Sequence, residues 1–159
     1  MDRVVVAIAL GSNLGDRKAN LELAREYLRP FLTEYRASST YETEPVGVPG
    51  PQPPFLYAAV VGRTELSARA LLEKLLEIEQ QAGRTRPSPG AARTLDLDLI
   101  LFGAEIVNEA DLVVPHPRFR ERRFVLEPIA EIAPDLKDPV TGKTVEELLL
   151  LLTRSGRAT

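Results

Sequence analysis

Residues 93–102 read Arg-Thr-Leu-Asp-Leu-Asp-Leu-Ile-Leu-Phe, and this stretch decides how the rest of the chain is interpreted. Successive side chains of a β-strand point to opposite faces, so the leucines would enter a core while Asp96 and Asp98 share the other face. Two residues of strand separate the two Cα atoms by roughly 6.6 Å. This spacing suits carboxylates that hold Mg²⁺, which prefers oxygen ligands. Taken alone, the pattern is better explained by a strand with a solvated face, because short motifs match by chance.

Composition predicts the broad class of the protein. The chain has 159 residues, of which 44% are hydrophobic and 27% charged, as expected for one globular domain (1–159, with 153–159 as a frayed tail). The net charge of −3 and the lack of cysteine argue against a large basic surface, disulfides and thiolate metal sites. There is no signal-peptide pattern and no apolar run of about 20 residues. We therefore expect a cytoplasmic monomer that binds neither nucleic acid nor membranes.

The apolar periodicity predicts a βαββαβ order. The predicted strands are 4–10, 34–41, 55–61 and the strand of the two aspartates, and the predicted helices are 17–32 and 67–82. Asp16, Ser67 and Thr144 are good helix N-caps, and Glu147 completes a capping box with Thr144. The order is that of a ferredoxin-like α+β fold, an antiparallel sheet with helices packed on it. Short strands and helices are expected to follow it, including helices at 124–134 and 144–152.

Two loops rich in proline or glycine interrupt this order, at 42–54 and 84–93. The second carries Arg84, Arg86 and Arg93 and leads into the two aspartates, which favours a lid over phosphates. His116 stands between two prolines with several arginines downstream. A lone histidine is more often a packed residue, but these neighbours favour a donor to phosphate.

Several motifs, taken together and in order, identify a family. They are 10–15 (LGSNLG), 39–43 (STYET) with Pro45 and Gly47, Glu79 with 83–86 (GRTR), 93–98 (RTLDLD), and 114–118 (VPHPR) with Arg122 and 124–126 (FVL). Over residues 7–149 the chain resembles the 6-hydroxymethyl-7,8-dihydropterin pyrophosphokinases of folate biosynthesis. The resemblance implies a ferredoxin-like fold and transfer of the β,γ-diphosphate of ATP to the pterin hydroxymethyl oxygen, with release of AMP.

The resemblance also implies roles for individual residues. Asp96 and Asp98 would hold Mg²⁺, as two ions in the family's manner, and together with Arg84 and Arg93 they would form the catalytic group. The residues expected at ATP are Glu79, Arg84, Arg86, Arg93, Leu99, His116 and Arg122. The residues expected at the pterin are Thr43, Val46, Phe55, Tyr57, Asp96 and Phe124. The chain departs from the family pattern at Tyr57, where asparagine is usual, at Ala91-Ala92 in place of Gly-Pro, and in having no tryptophan.

Two other classes of protein share part of this pattern. One is a non-catalytic ferredoxin-like module that binds a ligand or RNA, although the aromatic signature of an RNA-binding sheet is missing. The other is a different metal-dependent enzyme of phosphate transfer, such as a hydrolase or nucleotidyltransferase. Such an enzyme shares the acid pair but leaves Phe55 and Phe124 unexplained.

Overall fold

A computed structural model of the chain describes residues 3–13, 15–43, 54–82 and 95–154. The elements in chain order are β1 (Val4–Ser12), α1 (Arg17–Leu28), a 3₁₀ turn (Arg29–Phe31), β2 (Thr33–Ala37), β3 (Tyr41–Thr43), β4 (Phe55–Thr64), α2 (Ala68–Gln81), β5 (Asp96–Phe102), β6 (Val107–Glu109), β7 (Leu112–Val114), a second 3₁₀ turn (Phe119–Glu121), α3 (Arg123–Ile132) and α4 (Val145–Arg154). Within these residues, no helix is long and apolar enough to cross a bilayer.

The main sheet has the strand order β2-β4-β1-β5, and β3 pairs with β4 beside β2. All of these pairings are antiparallel. Because β2 and β3 together occupy the place of one strand, the order matches that of the predicted ferredoxin-like fold. β6 and β7 form a separate two-stranded sheet.

The two faces of the sheet carry different helices. On one face, Val6, Ile8 and Leu10 of β1 pack in a core with buried residues of α1 and α2. On the other, Ala7 packs with buried residues of α3 and α4. We call these the α1–α2 face and the α3–α4 face. The sequence predicted helices on the sheet, and the structure adds that the C-terminal pair covers the second face.

β5 changes its side-chain phase at a β-bulge. Ala7 pairs with Leu101, but Ile8 pairs with Leu99, so Ile100 is the extra residue. The side chains of both Ile100 and Leu101 consequently lie in the α3–α4 core.

Local signals placed most helix starts correctly. The side chains of Asp16 and Ser67 accept hydrogen bonds from the backbone at the starts of α1 and α2, and Thr144 and Glu147 form the predicted capping box. The first helix ends at Leu28 rather than at residue 32 because Pro30, in the 3₁₀ turn, has no N–H to donate.

Other predicted boundaries were also wrong. β1 continues through Gly11 and Ser12, since both residues pair with β4. The strand predicted at 34–41 is broken into β2 and β3. The last helix includes Thr153 and Arg154, which were expected to be frayed, and the Thr153 hydroxyl donates to the Leu149 carbonyl.

A buried carboxylate organises the turn before α4. Asp138 is fully buried and accepts hydrogen bonds from Arg120 Nε (2.5 Å) and Nη2 (2.9 Å), the Thr141 hydroxyl and the Val140 N–H. Burial alone would raise the pKa of this carboxyl, but these hydrogen bonds outweigh it and lower the pKa below its usual value. Asp138 is therefore held as an anion by its partners.

Candidate active site

Asp96 and Asp98 are arranged as the sequence predicted. Both are half-buried in β5, while Leu95, Leu97 and Leu99 are buried in the core of the α1–α2 face. On β1, Gly11 pairs with Asp96 and Ala9 pairs with Asp98. The two carboxylates therefore project from the α3–α4 face at the start of the strand.

Glu79 holds the backbone between these two acids. It lies near the end of α2, is 3% exposed, and accepts a hydrogen bond of 2.7 Å from the Leu97 N–H. This contact fixes β5 at the residue between Asp96 and Asp98. Leu99, also expected at ATP, has its side chain buried in the α1–α2 core. Contact of either residue with the nucleotide stays a prediction.

His116 lies beside β5 with a defined orientation. Its N–H donates to the Ile100 carbonyl (3.1 Å), and its Nδ1 accepts a hydrogen bond from the Arg118 N–H (3.2 Å). Because Nδ1 is an acceptor, the neutral ring carries its proton on Nε2. Burial lowers the pKa of His116, as does the charge of Arg122, whereas Asp96 opposes the shift. A neutral imidazole that carries its proton on Nε2 suits the predicted hydrogen bond to phosphate.

Three rings form an aromatic cluster next to these groups. Tyr57 stacks on Tyr41, with ring centroids 5.4 Å apart, and meets the edge of Phe124 at 5.9 Å. The guanidinium of Arg122 lies 5.5 Å from the centre of the Phe124 ring. Burial raises the pKa of Tyr57, so its hydroxyl stays protonated near neutral pH. The structure thus brings together three of the residues predicted for the site, Tyr57, Phe124 and Arg122. Tyr41, which was not predicted for the site, joins them.

A row across the sheet joins the cluster to the acids. Asp96 pairs with Gly11, Gly11 with Tyr57, and Tyr57 with Tyr41. A Cβ atom at Gly11 would come within 3.2 Å of Cε1 of Phe55. The glycine therefore lets the Phe55 ring approach the sheet between the acid and the aromatic cluster. The predicted strand 4–10 ended before Gly11, because the residues that pair with Gly11 on β4 and β5 are distant in sequence.

The remaining predicted residues are described in part or not at all. Arg84, Arg86, Arg93 and Val46 lie outside the described residues. Thr43 is described as the end of β3, where it pairs with Phe55. Among residues 3–13, 15–43, 54–82 and 95–154, no group of three or more histidine, cysteine or acidic side chains could hold a metal by itself. A metal at Asp96 and Asp98 would need further ligands, and Mg²⁺ commonly takes them from substrate phosphates and water.

Fold and site together define a class, a ferredoxin-like domain with an acid pair beside an aromatic cluster. The model of the 7,8-dihydro-6-hydroxymethylpterin-pyrophosphokinase (HPPK) family matches residues 7–134. The chain belongs to this family. The family match does not favour the alternatives of a ligand- or RNA-binding module or another enzyme of phosphate transfer.

Curated relatives and solved structures agree with this assignment. The chain is 42% identical over 144 residues to a 2-amino-4-hydroxy-6-hydroxymethyldihydropteridine pyrophosphokinase of Synechocystis sp., covering 89% of this chain and 73% of the relative. It is 42% identical over 145 residues to the Bacillus subtilis protein of the same name, covering 90% and 86%. A solved Plasmodium falciparum HPPK-DHPS chain superposes with a TM-score of 0.73 at 14% identity, which shows the shared fold. That match covers 94% of this chain but 45% of the solved one.

Proposed function

We propose that this protein transfers the β,γ-diphosphate of ATP to the hydroxymethyl group of 6-hydroxymethyl-7,8-dihydropterin, giving the pterin diphosphate and AMP in folate biosynthesis. It is a pyrophosphokinase by its family, and ATP is the co-substrate. The observation that carries the proposal is the row Asp96–Gly11–Tyr57, because it joins an acid suited to phosphate chemistry to the aromatic cluster of Tyr41, Tyr57 and Phe124.

The reaction forms one bond and breaks one. The hydroxymethyl oxygen forms a bond to the β-phosphorus of ATP. The bond between that phosphorus and the oxygen bridging it to the α-phosphorus breaks, and the bridging oxygen leaves with AMP. The hydroxyl proton is released, and we assign Asp96 as its first acceptor because it shares a row with the aromatic cluster. Alignment of the substrates and neutralisation of charge are the main demands of such a transfer.

The donor set at the start of β5 fits Mg²⁺. Asp96 and Asp98 offer carboxylate oxygens on one face of one strand, half-exposed to a ligand. Hard divalent cations that bind substrate phosphates use one or two carboxylates of this kind. When bound, Mg²⁺ would neutralise the charge of the substrate phosphates. We propose that these two residues hold it, as two ions in the family's manner.

The side of the site that binds the triphosphate is proposed to be basic. Arg84 and Arg93, with Arg86 and Arg122, would neutralise the phosphates, since guanidinium groups make planar two-point contacts with them. The neutral His116 would donate its Nε2–H to a phosphate oxygen, an orientation supported by the contact between its Nδ1 and the Arg118 N–H. Glu79 and Leu99 complete the proposed nucleotide set.

The pterin is proposed to bind at the aromatic cluster. Phe55 and Phe124 would hold its two ring faces, and Thr43, Val46 and Tyr57 would line its edge. Aromatic pairs of this kind favour offset-stacked or edge-to-face contact. Tyr57 replaces the asparagine usual in the family, so we propose that backbone groups supply the hydrogen bonds that an asparagine would make. The other partner predictions, a cytoplasmic monomer with no nucleic acid or membrane partner, stay predictions.

One assay tests the reaction. Purified protein is mixed with ATP, Mg²⁺ and 6-hydroxymethyl-7,8-dihydropterin, and the nucleotide products are separated. We expect AMP and the pterin diphosphate in equal amounts. Release of ADP or free phosphate in place of AMP would refute the proposal. Omission of the pterin is the control, because a hydrolase would still consume ATP.

A further inference from the structure

The edge of the sheet under the proposed pterin site is irregular. β2 pairs with β4 from Thr33 to Ala37, and β3 resumes the pairing only at Tyr41. Between them, the Ser38 hydroxyl accepts a hydrogen bond of 2.9 Å from the Ala59 N–H. A break of this kind interrupts the pairing before β3, so other contacts help to set the direction of that strand.

Glu131, near the end of α3, makes those contacts. Its carboxylate accepts hydrogen bonds from the Ser39 N–H (3.0 Å) and hydroxyl (2.8 Å) and from the Tyr41 hydroxyl (2.6 Å). The neighbouring Ile132 carbonyl accepts a hydrogen bond of 2.5 Å from Arg36 of β2. Residues at the end of α3 therefore bind the edge of the sheet both before the break, at β2, and after it, at Ser39 and β3.

Charge supports the same arrangement. The hydrogen bond from Tyr41 is the main cause that lowers the pKa of Glu131, with Ser39 adding to it. Burial and the bond to Glu131 raise the pKa of Tyr41. Glu131 is therefore an anion and Tyr41 a neutral donor at neutral pH, which is the stronger, charge-assisted form of this contact.

The contact reaches the proposed site through two steps. Tyr41 stacks on Tyr57, whose ring meets Phe124, and Phe124 is also on α3. Two residues beyond Tyr41, Thr43 pairs with Phe55. Fixing the position of Tyr41 thus also fixes the ring on which Tyr57 stacks and the place along β4 where Thr43 pairs with Phe55.

We propose that Glu131 is a positioning residue for the pterin: by anchoring Ser39 and Tyr41 to α3, it sets the shape of the pterin pocket without touching the substrate. This inference rests on the proposed function. Of the proposed nucleotide groups that the structure describes, Glu79 lies on α2, Leu99 on β5, and His116 and Arg122 on the segment before α3, where Arg122 lies over Phe124. Loss of Glu131 should therefore weaken binding of the pterin and leave binding of ATP nearly unchanged.

The test compares Glu131→Gln with a matched control, Glu147→Gln. Both side chains are exposed glutamates that accept backbone N–H bonds, but Glu147 caps α4. We expect Glu131→Gln to raise KM for the pterin about fivefold, because charge-assisted bonds are lost. KM for ATP and kcat should change less than twofold in the same variant. Glu147→Gln should change none of the three.

A second variant separates positioning from general damage. Tyr41→Phe keeps the stack on Tyr57 but removes the hydroxyl that binds Glu131, so it should raise KM for the pterin in the same direction. Combined with Glu131→Gln, it should add little, because both changes remove one contact. Equal increases in both KM values, or a pterin KM within twofold of the control, would overturn the inference. Absence of AMP with the wild-type protein would instead refute the proposed function.

Discussion

The α3–α4 face of the sheet is built differently at its two ends. At one end, Ala7, Val61 and Leu101 are at most 2% exposed and pack under the helices. At the other, the same three strands present Gly11, Tyr57 and Asp96. The packed core and the proposed active site therefore lie at opposite ends of the same strands. Substitutions at the packed end should mainly lower the free energy of unfolding, because they remove packing. Substitutions at the acid end should mainly lower turnover, because they remove charge.

The largest expected effect is at the acid end. Asp96→Asn and Asp98→Asn keep the side-chain volume but remove the charge proposed to hold Mg²⁺. We expect each to lower kcat by at least about 10²–10³, the cost typical of losing one group that stabilises charge in a transition state. The rate of AMP release measures this. The exposed Asp135→Asn is the control, and an acid-pair variant that kept the turnover of this control would contradict the site.

The next effect is at the packed end. Leu101→Ala removes a buried side chain from the α3–α4 core. We expect the free energy of unfolding to fall by about 2–4 kcal/mol, through lost burial and a cavity. Urea unfolding measures the loss. Turnover per folded molecule should stay within about twofold of the wild type, and a fall as large as that of Asp96→Asn would show that the two ends are not separable.

A smaller effect is expected at Asp138, the buried carboxylate before α4. Asp138→Asn should cost about 2–3 kcal/mol at pH 7, somewhat below the loss from breaking a fully buried pair because Arg120 is partly exposed. The folded-state pKa of Asp138 is lowered, so its contribution is full above its unfolded-state pKa of about 3.9 and is lost as pH falls through the folded-state pKa.

Unfolding of Asp138→Asn and wild type at several pH values tests the sign of this effect. The difference in stability should be constant from about pH 5 to 7 and should shrink below about pH 4. A difference that grew on acidification would contradict the assigned ionisation.

The smallest effect is expected from His116→Gln. The amide nitrogen of glutamine can take the place of Nε2–H, whereas that of asparagine takes the place of Nδ1. We therefore expect His116→Gln to raise KM for ATP only about two- to threefold and His116→Asn about tenfold, the cost of one hydrogen bond to a charged group. Equal effects of both variants would contradict the donor assigned to Nε2.

Local patterns predicted the parts of the site that depend on local structure. Strand alternation put Asp96 and Asp98 on one face, and residue chemistry put the caps at Asp16 and Ser67. The row Asp96–Gly11–Tyr57 could not be predicted, because cross-strand register depends on contacts between segments distant in sequence. The break before Tyr41 escaped detection for the same reason, since Glu131 of α3 supplies its partners. The roles of Arg84 and Arg93 rest on resemblance and stay predictions.

The bulge at Ile100 has a consequence for how this strand tolerates change. The extra residue shifts the alternation of side chains by one position. Asp96 and Asp98 before the bulge and Leu101 after it therefore lie on the same α3–α4 face, although they are an odd number of positions apart in the sequence. Deleting the extra residue would rotate one half of the strand relative to the other, and either the acids or the leucine would turn to the wrong side. A length change of one residue here is therefore more damaging than most replacements.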